Sequence, residues 1–189
     1  MKSEAHLKGQ PIISTRRLTT IALLGAIAAV LSLTPFGYIQ MGLIRITFMH
    51  VPVIIAAVIE GPLAGAIVGF IFGISSLVSN LSGPLAPVFL NPMVSIVPRI
   101  LIGLVAAYVY KATKSAALSA AAGTVTNTVG VLSMIYFVAA QQFTQIKGIT
   151  MGNLGKVLLG TAASNGIMEA VVAVILVSAI IKGINNIRK

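Results

Sequence analysis

The sequence contains no cysteine and no tryptophan, and its three acidic residues are all glutamate, so aspartate is missing as well. Without cysteine there are no disulfides and no thiolate metal sites, and the redox compartment cannot be read. Two histidines and three glutamates leave metal or carboxylate-pair catalysis almost nothing to build on. No H-E-x-x-H occurs, and no phosphate-binding loop either: Gly155-Lys156 is followed by Val157 where that loop needs serine or threonine. The chain is therefore expected to be no enzyme, to hydrolyse no nucleotide and to carry no cofactor. Charge is scarce too, at 8% of residues against 57% hydrophobic, with a mean hydropathy of +1.03. A soluble domain of 189 residues needs a more charged surface, so the class is a polytopic membrane protein. It reads as one integral-membrane domain over 1–189.

Present instead are long apolar runs, each near the roughly 20 residues that cross a bilayer as helix. Six can be drawn, at about 17–35, 46–60, 62–80, 93–111, 115–141 and 156–182, which predicts an all-α bundle of six transmembrane helices. No small-residue cleavage site follows the first run, so it reads as a retained helix rather than a signal peptide. The second is the weakest, being short, carrying His50 and Pro52 and ending at Glu60-Gly61-Pro62, and a kinked or partly re-entrant segment is expected there. The net charge of +10 does not point to nucleic acid, because the cations flank apolar spans and form no polar face. Lys2, Lys8, Arg16, Arg17, Lys111, Lys114, Lys182, Arg188 and Lys189 fall on one side of a six-span topology, and only Arg45, Lys147 and Lys156 on the other. The excess of positive charge places both termini in the cytoplasm. The opposite loops, 34–45, 80–92 and 141–153, are longer and rich in glycine, proline and polar residues, as gates or binding elements often are.

Within the apolar runs a few residues stand out. Arg99 interrupts "NPMVSIVPRILIGLVAAYVY", about six residues or roughly 9 Å into its helix. A charge near the bilayer centre costs roughly 2.5–3.5 kcal/mol on insertion scales, so such residues face a partner or a wet cavity. Asn165 and Glu169 stand at i, i+4 and share a face, and Asn127 lies mid-helix between Thr126 and Thr128. The functional reading is an outward-opening pocket in which Arg99 grips a carboxylate with its planar fork while Asn127, Asn165 and Glu169 bind hydroxyl or amide groups. Asn91, Tyr38, Gln40 and Arg45, from the outer loops, complete the candidate set. Two bland readings compete: an Arg99–Glu169 pair tying two helices together, and an Arg99 that reaches outward to the headgroups. Gly61, Gly65, Gly69 and Gly73 recur at every fourth residue and read as internal packing, while Ala22-x-x-x-Ala26, with Gly25 and Ala29 beside it, stays open between packing and docking.

These features resemble the substrate-capture subunit, or S-component, of an energy-coupling-factor vitamin transporter, over nearly the whole chain. "ITFMHVPVIIAAVIEGPLAGAIVGFIFGISSLV" (46–78), "VPRILIGLVAAYVY" (97–110), "TNTVGVLSMIY" (126–136) and "NGIMEAVVAVIL" (165–176) are most similar to the pantothenate-type branch. The resemblance implies capture of a scarce vitamin outside a prokaryotic plasma membrane. It also implies docking through Ala22, Ala26, Gly25 and Ala29 onto a membrane coupling subunit that carries two cytoplasmic ATPases. Pantothenate suits the residues, being a small anion with hydroxyls and an amide and no ring to stack. Hydroxymethylpyrimidine, pyridoxine or riboflavin are the competing ligands. A stand-alone secondary transporter is the rival class.

Overall fold

A computed structural model of the chain describes the backbone of residues 14–41 and 44–187, with side chains for all of these except 38–46. Helix α1, Thr15–Leu33, starts at Ser14, whose hydroxyl accepts from the Arg17 amide, and stops before Thr34-Pro35. A short 3₁₀ turn, Pro35–Gly37, leads into strands β1, Tyr38–Met41, and β2, Ile44–Thr47. The strands pair antiparallel with Gln40 opposite Arg45 and Tyr38 opposite Thr47. This hairpin stands where the sequence reading had a loop and the start of the second helix. Helix α2 is consequently only Val51–Glu60, ten residues or about 15 Å long, half of a bilayer core. Gly61, at φ +89°, turns the chain directly into α3, Pro62–Ser79. A side chain is strained at that backbone angle, and the following Pro62 starts the new helix without a lost hydrogen bond.

The expected helix 93–111 is divided. Two single turns, α4 (Ala86–Phe89) and α5 (Pro92–Ser95), precede α6, Val97–Thr113, with Pro98 in its first turn. Lys114, left-handed at φ 54°, ends α6, and Ser115 caps α7, Ala116–Val138. The expected span 115–141 therefore stops at 138, and the loop beyond it is mostly helix α8, Ala140–Lys147. The last span starts earlier and ends later than the expected 156–182. It is one rod from α9, Met151–Thr161, through a π-helical turn, Ala162–Gly166, to α10, Ile167–Ile187. Five helical stretches are long and apolar enough to cross a membrane, and α2 is a sixth, shorter one. The fold is predominantly helical, as the sequence reading had it, with the β1–β2 hairpin as the exception.

Two apolar cores fill the bundle. The larger gathers Ile21 and Ala28 of α1, nearly all of α2, Val68 and Phe72 of α3, Ile102 and Ala106 of α6, Ala120 of α7 and Ala173 and Val177 of α10. The smaller gathers Val88, Val94, Ile135, Phe143, Leu154 and Leu158. The α3–α6 seam beside the larger core is packed backbone to backbone. A Cβ on Gly103 would strike the Gly65 carbonyl, one on Gly69 the Arg99 carbonyl, and one on Gly73 would stand 2.8 Å from Ile96 Cα. Gly65, Gly69 and Gly73 are thus internal packing residues, and they press α3 against the turn of α6 that carries Arg99.

Candidate functional site

Polar residues collect in a layer between the two cores, and the chain order of three helices shows it. Along α5 and α6, Arg99 falls between Val94 of the smaller core and Ile102 of the larger. On α7, Asn127 falls between Ala120 and Ile135, and on the last rod Asn165 and Glu169 fall between Leu158 and Ala173. The shortness of α2 completes the layer. Its first turn begins at this depth, so the hairpin, and not a helix, enters the bundle above it.

Four sequence-selected residues fall in this stretch of the helices. Arg99 is 7% exposed and donates from Nη1 to the Val94 carbonyl at 2.7 Å, with its guanidinium 5.5 Å from the centre of the Phe72 ring. Glu169, also 7% exposed, accepts through Oε1 from the Thr47 amide at 3.1 Å and the Thr47 hydroxyl at 2.5 Å. No hydrogen bond joins Arg99 to Glu169 among the described residues. Asn127 lies on the same layer, and Asn165 is in the π turn, which widens the helix where it passes α7 and β2. The Cβ that Gly166 lacks would stand 3.3 Å from Thr128 Cγ2, so the π turn lies directly against the Asn127-Thr128 step.

The other candidates lie apart or outside the described side chains. Asn91 caps α5, its Oδ1 accepting from the Met93 amide at 3.0 Å. Tyr38, Gln40 and Arg45 are in the hairpin, and their side chains are outside the described residues. On α1, Ala22 and Ala26 are exposed, Ala29 is half-buried, and Gly25 turns inward, where a Cβ would stand 2.7 Å from Ile71 Cδ1.

Sequence reasoning passed over several members of the layer. Thr47 and Phe72 carry no signal of their own, since each matters only through a residue far along the chain. His50, at 1% exposure, is buried and hydrogen-bonded. The Thr124 hydroxyl gives its one proton to the Ala120 carbonyl at 2.9 Å, so in the 2.9 Å contact between them His50 Nε2 is the donor. A faint sign existed in the cluster Thr124, Thr126, Asn127, Thr128, which is unusual in an apolar helix.

The layer has unused bonding capacity. Arg99 Nε, Asn127 Oδ1 and Thr128 Oγ1 are buried and have no hydrogen-bond partner among the described residues. Each such atom costs about 1–3 kcal/mol unless something meets it. A guanidinium edge beside an aromatic ring, an amide oxygen, a hydroxyl and a carboxylate form a donor and acceptor set suited to a small molecule with an anionic group and several hydroxyl or amide groups. Among the described residues no cluster of three or more histidine, aspartate or glutamate residues could hold a metal.

Residues 16–181 match the family described as ECF transporter, substrate-specific component. The chain is 33% identical over 165 residues to the pantothenic acid transporter PanT of Lactococcus lactis subsp. cremoris, covering 77% of this chain and 80% of that one. It is 29% identical over 161 residues to the pantothenate transporter PanT of Leuconostoc mesenteroides subsp. mesenteroides, covering 76% and 79% respectively.

Proposed function

The chain belongs to the family of substrate-specific components of ECF transporters, and from that premise we propose that it is the pantothenate-binding subunit of a vitamin importer. It is a multi-pass protein of the cell membrane. The observation that carries the ligand reading is the polar layer between two apolar cores, with Arg99 Nε, Asn127 Oδ1 and Thr128 Oγ1 buried and without a hydrogen-bond partner among the described residues. Arg99 takes the carboxylate. Asn127, Asn165 and Glu169 Oε2 take the hydroxyls and the amide, and the hairpin with Tyr38, Gln40 and Arg45, together with Asn91, forms the outer rim. The names of both relatives agree with this chemistry.

The second crossing consists of the hairpin followed by α2, which makes six. Arg16, Arg17, Glu60, Lys111, Lys114 and Lys182 then share one end of the bundle, and the positive-inside rule makes that end cytoplasmic, with both termini there. The subunit hydrolyses no ATP; a membrane coupling subunit with two ATPases supplies the energy, docking on the exposed Ala22 and Ala26 face of α1. Small residues permit the close helix approach that such docking needs.

The test is calorimetric titration of pantothenate into the purified chain. Arg99→Ala should weaken binding by about 1.5–3 kcal/mol, the range for a hydrogen bond to a charged group, while affinity for a neutral analogue stays within a few-fold. Binding of hydroxymethylpyrimidine, pyridoxine or riboflavin in place of pantothenate would retain the transport role and reassign the ligand. Uptake by proteoliposomes holding this chain alone would identify a secondary transporter instead.

A further inference from the structure

At the end of the bundle that carries Lys111, Lys114 and Lys182, the last helix overruns its neighbour. Gly166 stands against Thr128. Counting from there toward this end, the antiparallel α7 and α10 bring Ala116, the first residue of α7, level with Ser178. α10 continues to Ile187, about two turns beyond that level, while the chain beside it turns sharply from α6 into α7 at Lys114 and Ser115. The overhang leaves a cleft of about 480 Å³ between that corner and α10. Its volume lies within the range of about 300–1,000 Å³ typical of small-ligand sites.

The chemistry of the cleft is one-sided. Lys114 lines it from the corner, and Lys182, Asn185 and Asn186 line it from α10, all four exposed. No carboxylate lines it: the two acids among the described residues are Glu60, at the end of α2, and Glu169, which holds Thr47. The backbone adds donors. The Ser115 hydroxyl accepts from the Leu118 amide at 3.3 Å, and the Ser115 amide donates to Thr113 Oγ1 at 3.3 Å. The amides of Ala116 and Ala117, which also line the cleft, are then left without a partner among the described residues, at the positive end of a 23-residue helix. Ser178 lies across from them, and its Oγ is buried and likewise without a partner among the described residues.

We propose that this cleft binds the phosphate-bearing headgroup of one anionic phospholipid, from the leaflet at this end of the bundle, between Lys114, Lys182 and the start of α7. Two ammonium groups on opposite walls and unmet amides between them suit the several acceptor oxygens of a phosphate, and the Asn185 and Asn186 amides suit headgroup hydroxyls. The bilayer begins directly beside the cleft, since Leu118, in the first turn of α7, is 53% exposed, so a lipid can leave its acyl chains in place while its headgroup enters. The site lies apart from the polar layer and from α1, and it is independent of the vitamin reading.

Native mass spectrometry of the purified chain, loaded in turn with dioleoylphosphatidylglycerol and dioleoylphosphatidylcholine, tests it. One bound phosphatidylglycerol per chain is expected, with phosphatidylcholine retained about 20-fold less, the factor for two basic side chains at an anionic surface. Lys114→Gln combined with Lys182→Gln should bring the two lipids level. Lys111→Gln, exposed at the same end but outside the cleft, should leave the preference as it was. Equal retention of the two lipids by the unaltered chain would overturn the proposal, as would an undiminished preference in the double variant. A loss as large in Lys111→Gln would also overturn it, because diffuse attraction to a positive surface would then suffice. Inorganic phosphate at millimolar concentration should not displace phosphatidylglycerol; displacement would assign the cleft to a free anion. The substituted lysines are exposed, and melting temperatures confirm that each variant is folded.

Discussion

The α3–α6 seam and the α7–α10 pair are both made of long apolar helices, yet they are built in opposite ways. Along the seam, glycines on both helices bring the backbones together, and 44% of the most apolar window of each helix is buried inside the molecule. For α7 and the last rod that share is 22%. There the helices carry asparagine, threonine and glutamate in place of a glycine stripe, and the rod relaxes into a π turn beside them. The contrast separates the two requirements of a binding subunit. One side is packed through glycines and carries Arg99; the other carries polar atoms that have no hydrogen-bond partner among the described residues.

The largest expected effect comes from breaking the rigid side. Gly103→Leu must push its side chain into the Gly65 carbonyl, for which no rotamer offers relief, and should cost at least about 3 kcal/mol, read as loss of the folded species in detergent melting. The binding loss of Arg99→Ala comes next, and it sharpens the comparison because melting should move far less than affinity does. Third is the link between the hairpin and the looser side. Thr47→Val removes one of two hydrogen bonds to Glu169 and should cost about 1.5 kcal/mol. The readouts are faster hydrogen exchange in the β1–β2 hairpin and a roughly tenfold faster ligand release, with no change along the α3–α6 seam.

The smallest effects separate two faces of one helix. Gly25→Leu meets the flexible end of Ile71 and should lower stability by about 1–2 kcal/mol. Ala26→Leu, on the exposed face, should stay within about 0.5 kcal/mol in melting and leave ligand affinity unchanged, while ATP-driven uptake by the assembled transporter fails. Uptake that survives the added bulk would move the docking face elsewhere on α1.

The residues differed in how far the sequence exposed them. Arg99 was conspicuous because a guanidinium in an apolar run is costly wherever it lies, so composition alone marks it. The same holds for Glu169 and Asn127, and the regular spacing of Gly65, Gly69 and Gly73 announced a close helix contact. Gly25 was harder: its neighbours Ala22 and Ala26 are as small as it is, and only the position of Ile71 decides that Gly25 packs inward while they remain exposed. The β1–β2 hairpin was hidden because the alternation of Ile44–Thr47 is only four residues long, too short to separate strand from helix. Its position determines where α2 starts.

The sequence by itself determined that this chain lies in a membrane as several helices, which way its charge is distributed, and which few polar residues have to be accounted for inside it. Those follow from the cost of moving each residue from water to lipid, a property of residues and short windows. The tertiary structure decided what those residues do: that Glu169 holds Thr47, that His50 holds Thr124, that Arg99 rests beside Phe72. The separations along the chain are 122 residues for the first pair and 74 for the second. Such pairings depend on which helix faces which and at what depth, and a contact between distant residues leaves no periodic trace in either stretch of sequence.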